Sequence, residues 1–279
     1  MTNDERRMAH TDRLARLTRL AGSLLIIAWL AACGPTPVIT RTPVTFEFAV
    51  ASAVAPLMDE LTSAYRSAHQ HVTFNSLHVN SARAMDALWA GEVDLAAVSW
   101  LTDTESVWLT PVAIDGVAVI VHPSNPVKNL SLLQLRDVFR GRVADWPDVG
   151  GPPDEISIGS RESGSGTRTK FEEAVMGGRS VTVNAVMASS DQAMVDYVRT
   201  ITASIGYLAS GYLTRTVKAI SVEGETLSIA TLTDRGYPLS RPLLFVTPQE
   251  PQGELRAFVA WVLGPEGQGI VGKKYGRVK

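Results

Sequence analysis

"PVAIDGVAVIVHP", Pro111–Pro123, is a run of apolar residues broken only by the adjacent Asp115 and Gly116. Strands in globular proteins usually span five or six residues, so a strand of this length can cross from one domain to another. Working outward, strand-like and helix-like segments alternate almost throughout. Upstream, "VTFEFAV" (44–50) reads as a strand. "APLMDELTSAYRSAH" (55–69) reads as an amphipathic helix with Leu57, Leu61, Ala64, Tyr65 and Ala68 along one face. "HVTFNSL", "SARAMDALWAG" and "VDLAAVS" continue as strand, helix closed by Gly91, and buried strand. This β-α-β-α-β order implies a mostly parallel sheet covered by helices. Downstream, "SLLQLRDVFRG" and "GTRTKFEEAVMGG" read as helices flanking the strand "EISIGS". "RPLLFVTP" (241–248) is a second candidate crossing strand, and "GELRAFVAWVLG" and "PEGQGIVGKKYG" read as closing helices. The expected fold is α/β, with two β/α lobes joined by two crossing strands. Lobe 1 is assigned 44–118 and 241–279, and lobe 2 119–240.

At 279 residues with 45% hydrophobic and 19% charged side chains, the chain has enough apolar material for two lobes without covalent staples. The first 32 residues have a different character. Arg6, Arg7, Arg13, Arg16 and Arg19 form a basic region, followed by "AGSLLIIAWLAA", about a dozen apolar residues, and then Cys33. That stretch is short of the roughly 20 residues a membrane-spanning helix needs and suits a signal-peptide core. "LAAC", Leu30 to Cys33, resembles the lipobox of bacterial lipoproteins. The expectation is therefore a signal peptide over 1–32 and lipidation at Cys33. A Pro/Thr-rich tether over 33–43 would follow, leaving an exported protein held at the outer face of the cytoplasmic membrane. Cys33 is the single cysteine, so an intramolecular disulfide is excluded. The leader holds five arginines against three acids, so the remainder carries about −4 where the whole chain carries −2. A body of that charge lacks the basic stripe of a nucleic-acid binder. An anion would have to be held locally.

The stretch that carries chemistry is "SRESGSGTRTKF", Ser160–Phe171. As a nucleophile elbow it fails on spacing, because Ser165 sits in Gly-Ser-Gly instead of Gly-x-Ser-x-Gly. As a Walker A loop it lacks the Gly-Lys pair, and "GQGIVGKK" (267–274) lacks the final hydroxyl. The histidines flank strands or lie in the leader, and none has carboxylate or cysteine partners spaced for a metal. No cofactor is implied. "TKFE", Thr169–Glu172, matches a capping box, which explains the end of the stretch and not its beginning. Glycines that admit close backbone approach, N–H groups at a helix start, the hydroxyls of Ser165 and Thr167, and the guanidinium of Arg161 together suit an oxyanion. In open α/β sheets ligands sit at the carboxyl ends of strands. Ser52, Ser81 and Ser99, each just after a strand of the other lobe, are placed to supply the remaining donors.

These residues resemble a known family. "RESGSGTRTKFEEAV" is similar to the Arg-x-x-Gly-Ser-Gly-Thr-Arg-x-x-Phe motif of the phosphate-binding lipoproteins that serve bacterial phosphate ABC transporters. "ASAVAPLMDEL", "WAGEVDLAAVS", "AIDGVAVIVHPSNPVKNLSLLQLRDVFRGRVADW", "SIGYLASGY" and "GPEGQGIVGKKYG" extend the resemblance over most of the chain. It implies a two-lobed, Venus-flytrap periplasmic-binding-protein fold, a non-enzymatic role, phosphate closed between the lobes, and delivery to a membrane permease. It implies contacts to the anion from Ser52, the Ala53 backbone, Ser81 and Ser99 on one side. Arg161, Ser165, Gly166 and Thr167 would face them from the other. Arg168 matches a family arginine that can instead support the loop through a salt bridge.

Two turns depart from the family pattern. Asn80-Ser81-Ala82-Arg83 stands where Gly-Ser-Gly is usual, so Arg83 either adds a charge to the site or is a solvated helix arginine. Ser99-Trp100 stands where an aspartate that accepts a phosphate proton can occur. The alternatives are another oxyanion or small phosphorylated solute, a phosphate sensor, or an enzyme with Ser165 as nucleophile.

Overall fold

The computed structural model describes residues 42–102 and 106–278. The leader, Cys33 and the tether up to position 41 lie outside the described residues. Among the described residues ten strands form one curled mixed sheet in the order β2-β1-β3-β10-β4-β8-β6-β7, with β9 beside β4 and β5 beside β9. β1 (Val44–Ala51), β2 (Val72–Val79) and β3 (Leu95–Val98) are parallel. Between them run α1 (Ala55–Ala68) and α2 (Ser81–Trp89). α1 carries Pro56 in its first turn, where the missing N–H costs no helix hydrogen bond. It buries Leu57, Met58, Leu61 and Tyr65 on one face. α2 is followed, after its Ala90 cap, by Gly91, whose φ of +70° a residue with a Cβ would rarely adopt.

β4 (Trp108–Val121) is the strand that joins the halves. It pairs antiparallel with β10 (Ser240–Thr247) from Trp108 to Gly116, then with β8 (Ser204–Ala209) and β9 (Lys218–Val222) from Val117 onward. The second half adds β5 (Asn129–Leu130), β6 (Ser157–Arg161) and β7 (Val186–Ala188). Its helices are α3 (Leu132–Phe139), α4 (Gly166–Ala174), α5 (Asp191–Thr200) and α6 (Ile229–Thr233). α7 (Gly253–Leu263) and α8 (Pro265–Val271) return to the first half. Among the described residues no helix is long and apolar enough to cross a membrane.

The apolar core follows the same division. One cluster joins Phe48, Tyr65, Phe245 and Phe258 under the first half of the sheet, with the rings of Tyr65 and Phe258 5.1 Å apart and edge-on. A second gathers Val119, Phe139, Phe171 and Tyr207 in the other half, and a third lies under α5 around Met194 and Val198. Phe171 of α4 stacks on Tyr207 of β8 with centroids 4.0 Å apart. The Tyr207 hydroxyl pairs with Ser160 Oγ at 2.7 Å and accepts the Arg161 N–H at 3.3 Å. Burial pushes that phenol up to about 12, so it remains a neutral prop under the end of β6. Core packing thus fixes both the start of α4 and the strand end before it.

Candidate functional site

Four strand ends converge on one small, tightly closed cavity. From the first half come Ser52 and Ala53 after β1, Asn80 and Ser81 after β2, and Ser99 after β3. From the second come Arg161 at the end of β6 and Ser165, Gly166 and Thr167 at the start of α4. All eight residues expected from the sequence are therefore brought together. Ser81, Ser99, Arg161, Ser165 and Thr167 are each at most 5% exposed.

The backbone supplies donors by geometry alone. α4 begins at Gly166 with Ser165 as its cap, so the Gly166 and Thr167 N–H groups have no carbonyl inside the helix. Their partial positive charge points at the cavity. The expected capping box at Thr169 is not formed there. The helix starts four residues earlier, on a Ser165 cap, and Thr169 Oγ1 donates to the Ser165 carbonyl at 3.2 Å. The start of α2 is capped by Asn80, which accepts the Arg83 N–H at 2.9 Å.

Arg161 is a buried cation with two acidic neighbours. Its Nε and Nη2 donate to Glu162 at 3.0 and 3.2 Å, and Nε also reaches the Ala188 carbonyl at 3.3 Å. Nη1 lies 2.7 Å from Asp191 Oδ2 in ion-pair contact but outside hydrogen-bond geometry, leaving a buried donor without an acceptor. Burial works against the charge. Asp191 and Glu162 outweigh it and hold the guanidinium above its ordinary value. Asp191, fully buried at the start of α5, would be raised by burial. Arg161, the Ser52 hydroxyl and the Ala209 N–H instead hold it below 3.8. Ser99 Oγ is also buried without a partner.

The two faces touch around the cavity. The Ala82 N–H donates to the Gly164 carbonyl at 3.1 Å, Asn80 Nδ2 to the Ser163 carbonyl at 3.3 Å, and Ser52 Oγ to Asp191 Oδ2 at 2.6 Å. Gly164 has φ of +83°, and a Cβ there would lie 3.0 Å from the Ala82 methyl. Gly166 is closer still: a Cβ on it would meet Ser99 Oγ at 2.5 Å and Ser81 Oγ at 2.8 Å.

Arg83 points to solvent, 70% exposed, beside Asp86 at 3.4 Å. Trp100 is half-buried and does not line the cavity; its Cβ lies 3.0 Å from the position a Gly166 Cβ would take. Arg168 supports the loop, with Nε to Glu172 at 2.9 Å and Nη1 to the Arg161 carbonyl at 3.0 Å. A larger cleft of about 810 Å³, lined by Val143, Ile156, Thr182 and neighbours, lies away from these strand ends and gathers no buried charge.

Sequence reasoning missed Asp191, Asp115 and Arg241. Asp191 looks like an ordinary acidic residue in the first turn of a helix. Asp115 and Arg241 carried a signal, since each is a lone charge in an apolar crossing strand. The β4–β10 register sets them opposite one another, and Arg241 Nε and Nη2 donate to Asp115 Oδ2 at 3.0 and 2.8 Å. Arg241 Nη2 also donates to Thr167 Oγ1 at 3.0 Å, and Ser210 closes the other Asp115 oxygen.

A family model described as a PBP superfamily domain matches residues 37–266, most of the chain. The chain belongs to the PBP superfamily. Among its PBP relatives, the phosphate-binding protein PstS of Bacillus subtilis is 30% identical over 129 residues, 46% of this chain and 43% of that one. The phosphate-binding protein PstS of Pseudomonas aeruginosa is 28% identical over 254 residues, covering 79% and 78% of the two chains. A substrate-binding protein of Clostridium perfringens, solved with bound phosphate, superposes with a TM-score of 0.80 at 28% identity. That match covers 85% of this PBP chain and all of the other.

Proposed function

We propose that this PBP-family chain binds inorganic phosphate between its two lobes and passes it to an ABC-transporter permease, without catalysis. The observation that carries the reading is the convergence of Ser52, Ala53, Ser81 and Ser99 with Arg161, Ser165, Gly166 and Thr167 on one small cavity. Charge-assisted hydrogen bonds contribute about 1.5–3 kcal/mol each, and several must converge to replace an oxyanion's hydration. The start of α4, the hydroxyls and the guanidinium of Arg161 supply that number. The names of the relatives, and phosphate in the Clostridium perfringens structure, favour this anion over others. Among the described residues no His, Lys or carboxylate lines the cavity beside Ser165, which favours binding over a serine nucleophile. The lobes in this reading are 44–118 with 241–279, and 119–240, hinged on β4 and β10. Lipidation at Cys33 after removal of 1–32 would hold the protein at the outer face of the cytoplasmic membrane.

Thermal unfolding with phosphate, sulfate, molybdate and a phosphonate tests the binding claim. Phosphate at a hundredfold over its Kd adds about 2.7 kcal/mol of stability. For a domain of this size that is a rise in Tm of roughly 5–11 °C. A shift with another anion and none with phosphate would refute the assignment.

A further inference from the structure

This inference rests on the phosphate reading of the cavity and concerns a residue outside it. β4 pairs with β10 as far as Gly116 and with β8 from Val117. Asp115 and Arg241, opposite one another in the β4–β10 register, therefore sit where the crossing strands pass between the halves. Both are buried, at 0% and 5% exposure. A buried ion pair stabilises a fold no better than well-packed apolar side chains of similar volume, so bracing the strands does not account for its presence.

The geometry gives it a second use. Arg241 Nη2 carries two protons; one is directed to Asp115 Oδ2 at 2.8 Å and the other to Thr167 Oγ1 at 3.0 Å. Asp115 is fixed in turn through its other oxygen, which accepts the N–H and the hydroxyl of Ser210 at 3.0 and 2.6 Å. A guanidinium has donors and no acceptor. At this contact Thr167 Oγ1 can only accept, and its single proton is turned away from Arg241. Thr167 lines the cavity and Arg241 does not. A cation on the oxygen also polarises the O–H and strengthens what it donates.

The end of β8 ties this pair to the other buried arginine. The adjacent N–H groups of Ala209 and Ser210 donate to Asp191 and Asp115 at 2.9 and 3.0 Å. Asp191 is the ion-pair partner of Arg161, which lines the cavity itself. Both guanidiniums are thus set by carboxylates anchored on neighbouring backbone groups.

We infer that Arg241, held by Asp115, is a positioning residue for phosphate: it turns the Thr167 hydroxyl so that its proton is given to the anion, and it fixes that direction from the crossing strands instead of from α4.

Calorimetric titration of the purified protein with inorganic phosphate, carried over a double-mutant cycle, tests this. Thr167→Val, which removes the hydroxyl and keeps the shape, should weaken phosphate by about tenfold or more, the worth of one hydrogen bond to a charged group. Thr167→Ser should recover most of that loss. Arg241→Lys keeps a cation for Asp115 and loses the planar fork that serves two acceptors. It should weaken phosphate by about fivefold beside Thr167, the worth of one ordinary hydrogen bond. In the Thr167→Val background the same change should cost less than about twofold. A pair that only braced the strands would cost the same factor in both backgrounds. Melts without phosphate show which variants fold. Arg241→Met/Asp115→Asn, which leaves neither charge unpaired, repeats the comparison where the lysine variant does not fold. Equal losses in the two backgrounds, or no loss in Thr167→Val, would overturn the inference while the wild type still binds phosphate. A wild type that binds no phosphate would instead refute the phosphate reading itself.

Discussion

Arg161 and Asp191 are a buried pair in which each charge makes the other tolerable. Removing one partner of such a pair leaves an uncompensated charge, at a cost of about 3–5 kcal/mol. Arg161→Met should therefore destabilise the protein by that order in urea unfolding, and Arg161→Met/Asp191→Asn should recover a large part of it. Complete recovery of stability without recovery of phosphate binding separates the two roles of the guanidinium. Asp191 also gives a sign to acid sensitivity. Its folded value is depressed, so its contribution is present above 3.8 and lost as the pH falls through the lower folded value. Unfolding midpoints followed from pH 5 downward should show wild-type stability declining over that window. The donors of this site were legible in the sequence because Ser, Thr, Gly and Arg after strand ends have few other reasons to cluster. The groups that orient them were not. Asp191 has meaning only through burial and through Ser52 and Arg161, distant in the chain, and neither leaves a local pattern.

The start of α4 shows how one helix end serves two demands. Gly166 lies where the opposing hydroxyls approach closest, and any Cβ would stand 2.5 Å from Ser99 Oγ. Gly166→Ala favours the helix in isolation and obstructs contact between the lobes. Unliganded Tm should hold or rise slightly, while phosphate affinity falls by at least about tenfold, a cost of about 1.4 kcal/mol. Equal affinity in the variant would mean that the faces do not close as tightly as this arrangement. Most elements were readable from periodicity, β4 and β10 from sheer apolar length, and α1 from its spacing. The short pieces were not: β5, β7, β9 and α6 are two to five residues long and owe their form to tertiary partners. "TKFE" misled in the other direction, because a local capping match lost to the Ser165 start that Phe171 and Tyr207 packing enforces.

At the scale of the molecule, two lobes share two antiparallel strands, and their remaining contacts near the site are few and polar. Asn80–Ser163, Ala82–Gly164 and Ser52–Asp191 form a latch made wholly of hydrogen bonds. The two neutral bonds are worth about 0.5–1.5 kcal/mol each and the one to the Asp191 carboxylate about 1.5–3 kcal/mol, so the latch biases the two halves toward closure. Asn80→Ser retains a good helix cap and loses the reach to Ser163. Its phosphate Kd should rise about fivefold, the equivalent of about 1 kcal/mol, with the unliganded Tm nearly unchanged.

The ion pairs set beside the cavity have a consequence for its environment. Arg161 and Arg241 are accompanied by Glu162, Asp191 and Asp115, two cations against three carboxylates within contact distance. The formal charge around the binding groups is thus slightly negative, so capture depends on oriented dipoles at close range. Mobile ions screen fields over about 10 Å at 0.1 M ionic strength and leave such short contacts almost untouched. Raising sodium chloride from 0.05 to 0.5 M should change the phosphate Kd by less than about twofold, so uptake should be as efficient in brackish surroundings as in fresh water.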